Sequence, residues 1–195
     1  MEQYIEILGT AVGLIYLWQE YRASIYLWIT SIIMPAIYLY VYYQAGLYAD
    51  FGINIYYLVI ALYGWLAWRY NFSLRGKRKE SKELSISHIR QGVIIRLALL
   101  FLAAWAIISY ILIHYINSTV PFTDAFTTAL SIVGMYMLAR KYIEQWWVWL
   151  VVDITSCALY IYKELYFTAA LYALYAIIAI FGYRKWKQLM NNEKH

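Results

Sequence analysis

Residues 92–115 read GVIIRLALLFLAAWAIISYILIHY, and no residue that is charged at neutral pH interrupts this run between Arg96 and His114. As a helix, an apolar stretch of about 20 residues is long enough to cross a hydrocarbon layer of roughly 30 Å. Similar stretches recur along the whole chain of 195 residues, which is 64% hydrophobic and only 14% charged. Soluble domains are about a quarter charged. The predicted fold class is therefore an all-α membrane protein.

Hydropathy predicts seven membrane-spanning helices, approximately at residues 4–19, 24–44, 50–69, 92–115, 121–139, 146–162 and 166–186. With seven crossings, 15 of the 16 Lys and Arg residues fall on one side of the bilayer, and Lys163 alone falls on the other. The positive-inside rule assigns the basic side to the cytoplasm. The prediction is a multi-pass protein of the bacterial inner membrane, with the N-terminus outside and the C-terminus inside. The net charge of +5 then requires no nucleic-acid partner.

The first three predicted helices resemble the last three. An offset of 121 residues aligns Trp28 with Trp149, whereas an offset of 118 aligns Gly64 with Gly182. We ascribe the difference to a longer loop between the second and third helices. The pattern predicts a 3+1+3 parallel repeat, of the kind in which transporters hold substrate near the midplane between two halves. The predicted parts are a first bundle (1–70), a cytoplasmic connector (71–91), a linker helix (92–116), a second bundle (117–187) and a cytoplasmic tail (188–195).

One face of the predicted sixth helix carries unusual residues. Asp153 lies at its middle, where an ionisable side chain costs about 2.5–3.5 kcal/mol and by default faces a cavity or a partner. Trp146, Trp149 and Ser156 share this face because the four residues are spaced three, four and three apart. Indoles and a carboxylate suit a flat, cationic ligand. The alternatives are that a neighbouring helix satisfies Asp153 and that Trp146 belongs to an interfacial belt.

Three further polar residues are candidates for contact with a ligand. Asn54 and Tyr57 lie one turn apart on the third helix, and the alternative for Asn54 is hydrogen bonding between helices. Asp124, near the start of the fifth helix, either contacts the ligand or acts as a helix N-terminal acid. Glu20 beside Arg22 is predicted to form a solvent-exposed pair.

Other classes of function find less support in the sequence. The chain has a single cysteine, and no Cys/His cluster with metal-ligand spacing, so neither a disulfide framework nor a metal is predicted. It lacks the phosphate-binding Gly-x-x-x-x-Gly-Lys loop and the common hydrolase motifs, so no cofactor is predicted. An intramembrane enzyme and a membrane assembly subunit remain the alternatives to a transporter.

Five stretches taken together narrow the class further: Gly46–Asp50, Tyr63–Trp68, Leu130–Val133, Arg140–Tyr142 and Glu144–Trp149. In this combination, over nearly the whole chain, they resemble the PnuC family of vitamin transporters. The resemblance implies a seven-helix, SWEET-like fold and a homotrimer. It also implies facilitated diffusion of an unphosphorylated vitamin, which a cytoplasmic kinase then traps by phosphorylation. Trp149, Asp153 and Asn54 match the substrate site that the family implies.

The substrate classes that the resemblance implies are nicotinamide riboside, thiamine and riboflavin. Nicotinamide riboside carriers of the family have Asn where this chain has Asp153, and Gln where it has Asn54. A carboxylate suits the thiazolium and aminopyrimidine of thiamine, so the sequence favours the thiamine-type branch (PnuT). Because nicotinamide riboside is also a cation, it remains the alternative.

Overall fold

The structure is a computed structural model, and it describes residues 2–44, 48–70, 84–116 and 119–192. These ranges form seven α-helices: α1 (Glu2–Tyr21), α2 (Leu27–Gln44), α3 (Tyr48–Tyr70), α4 (Gln91–Ile111), α5 (Pro121–Ala139), α6 (Gln145–Tyr162) and α7 (Tyr166–Asn192). α4 continues as a π-helical turn over Leu112–Ile116. Each helix falls on one of the runs predicted from hydropathy. Most of the predicted connector, up to residue 83, and the end of the predicted tail, 193–195, lie outside the described residues.

Among the residues that the structure describes, four helices are long and apolar enough to cross a membrane: Phe51–Tyr70, Gln91–Tyr115, Pro121–Ala139 and Tyr166–Asn192. On α4 large apolar side chains such as Ile95, Leu99 and Leu102 are exposed, which is the arrangement expected of a surface in contact with lipid. The chain is therefore an integral membrane protein. Crossing of the bilayer by α1, α2 and α6, which are richer in aromatic and polar residues, remains a prediction.

The chain divides into two compact units, Met1–Ser85 and Ile86–His195. In the first unit α2 packs on α3 and contacts α1. In the second unit α6 packs on both α5 and α7, and α4 packs on α5. Leu97 of α4 meets Val133 and Met137 of α5 in a buried apolar cluster of the second unit. The predicted domain boundaries remain predictions.

The helix limits and turns of α1–α3 recur in α5–α7 at a single offset of 118 residues. α2 begins at 27 and ends at 44, and α6 begins at 145 and ends at 162. In the turn before each of these helices one residue has a left-handed backbone, with φ of 51° at Ala23 and 50° at Lys141. The amide of Ala23 donates to the carbonyl of Glu20, and that of Lys141 donates to the carbonyl of Leu138, at 2.9 Å in both turns. These hydrogen bonds hold a conformation that costs a non-glycine residue roughly 1–2 kcal/mol.

The repeat includes a buried contact between tryptophan and glycine in each unit. Trp28 makes an edge-to-face contact with Trp68 at a ring separation of 5.6 Å, and Trp146 makes the same contact with Trp186 at 5.7 Å. The four rings are almost completely buried. Gly64 faces the Trp28 ring, and its repeat counterpart Gly182 faces the Trp146 ring. Glycine is required at both positions because a Cβ atom would overlap the indole.

The alignment of Trp28 with Trp149 at an offset of 121 is therefore wrong. The structural counterpart of Trp28 is Trp146, at the same offset of 118 that relates Gly64 to Gly182. The proposed difference in loop length is also wrong, because three residues separate α2 from α3 and three separate α6 from α7. With three tryptophans between residues 146 and 149, matching by residue type alone left the register ambiguous.

The residues before α4 are fastened to the turn between α5 and α6. The amide of Ser87 donates to the carbonyl of Lys141 at 3.0 Å, and the amide of Ile143 donates to the carbonyl of Ser87 at 3.1 Å. The Glu144 carboxylate lies 2.7 Å from Nδ1 of His88 and accepts a hydrogen bond of 3.0 Å from the amide of Ile89. One carboxylate thus ties the chain entering α4 to the chain entering α6.

We expect Glu144→Ala to loosen this attachment, because hydrogen bonds to a charged group contribute about 1.5–3 kcal/mol. Hydrogen exchange of the Ile89 amide should accelerate by more than about fivefold, since roughly 1 kcal/mol corresponds to that factor. Glu164→Ala, at an exposed acid in the turn between α6 and α7, is the matched control and should leave the exchange unchanged. Equal exchange rates in Glu144→Ala and the unmodified protein would show that the backbone bridge suffices.

Candidate substrate-binding site

The four candidate residues of α6 all lie on its inward face. Asp153 is 7% exposed, Trp146 and Ser156 are also buried, and Trp149 is half-buried. The outward face carries apolar side chains, of which Ile154 is an exposed example. α6 buries its only carboxylate together with the aliphatic Val152 and Leu159, and it exposes the aliphatic Val151 and Ile154. Burying the charged residue is the reverse of what a helix in a water-soluble protein does.

Two tyrosines of α7 accompany Asp153. The phenols of Tyr172 and Tyr175 are close enough to the carboxylate to interact with it electrostatically. The ring of Tyr172 in turn packs on Tyr160 of α6, with ring centroids 5.2 Å apart, and lies 5.6 Å from the ring of Tyr175. A carboxylate among phenol groups can hold a cation or accept hydrogen bonds from a polar ligand.

The sequence analysis missed these tyrosines, although one signal could have found them. Tyr172 and Tyr175 are the repeat counterparts of Asn54 and Tyr57, at the offset of 118 residues. Once Asn54 and Tyr57 were candidates in α3, the same positions of α7 were candidates as well.

The Trp149 indole packs on a glycine of α5. A Cβ atom on Gly134 would lie 3.2 Å from Cε2 and Cζ2 of the ring, so the indole rests directly against the helix backbone. The Nε1 atom of Trp149 is buried and donates no hydrogen bond within the part of the chain that the structure describes. A buried indole N–H normally has an acceptor. An acceptor on a bound ligand would complete this group.

Trp146 has a different environment from Trp149. Its ring fills the space beside Gly182 and makes the edge-to-face contact with Trp186 of α7. These contacts give Trp146 a role in joining α6 to α7. Of the two indoles predicted to stack on a ligand, Trp149 is the better placed.

In the first unit the candidates Asn54 and Tyr57 are both half-buried on α3. Tyr57 is close enough to Tyr16 of α1 for an electrostatic interaction, and Tyr16 is hydrogen-bonded to the Ser31 hydroxyl of α2. All three helices of this unit thus contribute to one group of polar side chains. Contact of Asn54 and Tyr57 with a ligand remains a prediction.

Asp124 lies in the first turn of α5, as predicted for a helix N-terminal acid. One of its carboxylate oxygens is 3.8 Å from Nζ of Lys163, the residue that follows α6. Both side chains are about one-third exposed, so solvent weakens the attraction. This ion pair accounts for Asp124 without a ligand, and contact with a ligand remains a prediction.

Comparisons with known proteins agree with a transport role. The model of a family described as "Nicotinamide mononucleotide transporter" matches residues 3–188. The chain is 24% identical over 203 residues to the nicotinamide riboside transporter PnuC of Escherichia coli (strain K12), an alignment that covers 94% of this chain and 84% of that protein. It is 26% identical over 188 residues to the riboflavin/roseoflavin transporter RibM of Streptomyces davaonensis, covering 93% and 83% of the two chains.

A solved structure has the same fold. The crystal structure of the vitamin B3 transporter PnuC superposes with a TM-score of 0.66, covering 94% of this chain and 80% of that chain at 22% sequence identity. Because the identity is low, the likeness establishes the architecture of the chain and leaves its ligand to be argued from the site.

Proposed function

Since this chain belongs to the nicotinamide mononucleotide transporter family, we propose that it carries nicotinamide riboside into the cell by facilitated diffusion. Its relatives are vitamin transporters, so the protein is a membrane transporter and not an enzyme. Later phosphorylation in the cytoplasm would trap the cargo, as the resemblance to PnuC implies. The name of the Escherichia coli relative supports the choice of cargo.

The observation that carries this proposal is the polar face of α6 and its partners. Asp153 is buried beside Tyr172 and Tyr175, and in the same unit Trp149 offers a ring and an N–H group that has no acceptor among the described residues. Nicotinamide riboside has a flat, positively charged ring and a ribose with several hydroxyl groups. A carboxylate offsets the ring charge, an indole stacks on the ring, and phenols exchange hydrogen bonds with the sugar.

The preference for thiamine is not supported by the comparisons. The similar proteins are named as carriers of nicotinamide riboside or of riboflavin and roseoflavin. The argument for thiamine depended on the charge of Asp153, and that charge serves the nicotinamide ring equally well. Thiamine therefore enters the test as a competitor, together with riboflavin.

The topology belongs to the same proposal. We infer seven spans, with the N-terminus outside and the C-terminus in the cytoplasm, from the distribution of the basic residues. In the predicted 3+1+3 arrangement α4 would return the chain between the two sets of three helices, which makes the number of spans odd, as the distribution of the basic residues requires. The 3+1+3 arrangement remains a prediction from the internal repeat, and its SWEET-like character and the homotrimer remain predictions from the family resemblance.

The first test measures the binding of each vitamin to the detergent-purified protein through the quenching of its intrinsic tryptophan fluorescence. The chain has 9 tryptophans, and we expect nicotinamide riboside to quench their emission at a concentration at least about tenfold below that needed for thiamine or riboflavin. Uptake of the labelled compound into proteoliposomes then tests transport. Tighter quenching by thiamine or riboflavin would overturn the choice of cargo, and no quenching by any of the three would overturn the function.

A further inference from the structure

Three hydroxyl groups of α5 donate their protons to the backbone of their own helix. Oγ of Ser131 lies 2.8 Å from the carbonyl oxygen of Thr127, and Oγ1 of Thr128 lies 2.8 Å from that of Asp124. Oγ1 of Thr127 lies 3.2 Å from the carbonyl oxygen of Thr123 and 3.1 Å from that of Asp124. Because a carbonyl oxygen only accepts, the hydroxyl is the donor in each pair. Each hydroxyl oxygen can then only accept a further hydrogen bond.

Two of these hydroxyl groups lie on the side of α5 that faces α6. Thr127, Ser131 and Gly134 are spaced four and three residues apart, so they share one side of the helix. Gly134 is the residue on which the Trp149 indole of α6 rests. Thr128 follows Thr127 by one residue and is therefore rotated about 100° away from this side.

Ser131 and Asp153 lie at the same level of the α5–α6 pair. The two helices are joined by a short turn, pack on each other and run antiparallel. Ser131 is one turn before Gly134, and Asp153 is one turn after Trp149, so both lie roughly 5–6 Å from the contact of glycine with indole, in the same direction. The ion pair between the first turn of α5 and the residue after α6 lies further in this direction, which supports the register.

Hydrogen-bond acceptors therefore occupy this level on both helices. The hydrogen bond to Thr127 is the one that Ser131 makes within the described residues, and Ser131 is half-buried. Since its proton is used there, Ser131 cannot donate to Asp153, and an ionised carboxylate only accepts. A molecule bound at this level is complementary to the site when it brings hydrogen-bond donors to the side of α5.

We propose that Ser131 is a specificity-determining residue, which accepts a hydrogen bond from a sugar hydroxyl of the cargo while Asp153 offsets the charge of the ring. This inference rests on the proposed function, because it assigns the two parts of nicotinamide riboside to two helices. The ribose hydroxyls are donors, as a helix face that only accepts requires. Thr127 offers a second acceptor of the same kind one turn away.

The compound 1-methylnicotinamide separates the sugar from the ring, because it has the same charged ring and carboxamide but no ribose. We expect Ser131→Ala to weaken binding of nicotinamide riboside by about three- to tenfold, the effect of losing one hydrogen bond to a neutral group. Binding of 1-methylnicotinamide should stay within about twofold of that of the unmodified protein. Asp153→Asn should weaken the binding of both compounds. Quenching of tryptophan fluorescence in the detergent-purified variants gives the affinities.

Thr155→Val is the matched control. Oγ1 of Thr155 makes the same kind of hydrogen bond, at 2.8 Å to the carbonyl oxygen of Val151. Thr155 lies two residues after Asp153, however, and therefore on nearly the opposite side of α6. Removal of this hydroxyl group should leave the affinity for both compounds unchanged.

The outcomes are distinct. Unchanged affinity of Ser131→Ala for nicotinamide riboside would overturn the role of Ser131 and leave the proposed function standing. Equal weakening of both compounds would also overturn it, because the lost contact would then be with the ring or within the fold. If 1-methylnicotinamide does not bind the unmodified protein, the riboside affinity decides, with an unchanged melting temperature of Ser131→Ala as evidence of an intact fold. Absence of riboside binding by the unmodified protein would instead overturn the function itself.

Discussion

Alanine in place of Gly182 should lower the apparent melting temperature of the detergent-purified protein by roughly 3–10 °C, because overpacking a core costs about 1–3 kcal/mol and each kcal/mol shifts the transition by a few degrees. A Cβ atom at this position would lie 2.5 Å from Cη2 and 2.6 Å from Cζ2 and Cζ3 of Trp146. The ring cannot retreat, since it is buried and is held edge-to-face by Trp186. The helices α6 and α7 would have to separate.

Gly64→Ala should have a similar effect, because Gly64 meets the same three ring atoms of Trp28 and this ring is held by Trp68. Gly52→Ala is the matched control on the same helix. A Cβ atom at Gly52 meets nothing within 4 Å, and alanine is the better helix former, so its melting temperature should be unchanged or slightly higher. If all three variants had the same melting temperature, the Trp–Gly contacts would not determine the packing of either unit.

The helical fold of this protein could be predicted because the bilayer allows few alternatives. A segment that crosses lipid must satisfy its own backbone hydrogen bonds and be apolar over about 20 residues. The run predicted at 92–115 is accordingly the long helix Gln91–Tyr115. Hydropathy predicts less for α1 and α6, where tyrosine, tryptophan and carboxylate side chains occupy positions that lipid-facing helices give to aliphatic residues.

The sequence predicted that the first three helices resemble the last three, but it aligned the second helix with the sixth in the wrong register. The feature that recurs at an offset of 118 residues is the contact of an indole with a glycine of the next helix. Comparing two stretches by residue type alone does not show which residues are in contact. Trp28 could be paired with Trp146 or Trp149 by residue type. Only the position of Gly64, and of its counterpart Gly182, decides between them.

In the group formed by Asp153, Tyr172 and Tyr175, the sequence predicted the charged residue and not the two tyrosines. Asp153 is conspicuous because an acid within an apolar helix requires an explanation. Tyr172 and Tyr175 are not conspicuous, since the chain has 23 tyrosines and tyrosine is common at membrane interfaces and within helix bundles alike. The solvent-exposed pair predicted for Glu20 and Arg22 is wrong, because Glu20 is only 2% exposed. Its burial was missed because an acid next to an arginine at a helix end is normally a solvated pair.

In this chain, where Asp153 replaces the Asn of the family's nicotinamide riboside carriers and Asn54 replaces their Gln, the substitution Asp153→Asn should weaken binding of nicotinamide riboside by more than about tenfold, or roughly 1.4 kcal/mol. The amide keeps the size and polarity of the side chain beside Tyr172 and Tyr175, but it no longer offsets the charge of the ring. Because Asp153 is 7% exposed, solvent screens this charge little. Fluorescence quenching gives the affinity. Glu164→Gln, which removes one negative charge at an exposed site, is the control.

A neutral ligand separates the charge of Asp153 from its packing. Riboflavin has a flat ring and a polyol chain but no positive charge, so Asp153→Asn should not weaken whatever affinity the protein has for it. If the substitution weakened both ligands equally and lowered the melting temperature, Asp153 would support α6 and α7 through the tyrosines and would not hold the cargo. If it weakened the cation alone, the buried carboxylate would be the group by which this carrier prefers a charged vitamin. The difference between the two ligands, rather than the loss for either one, identifies the role of the carboxylate.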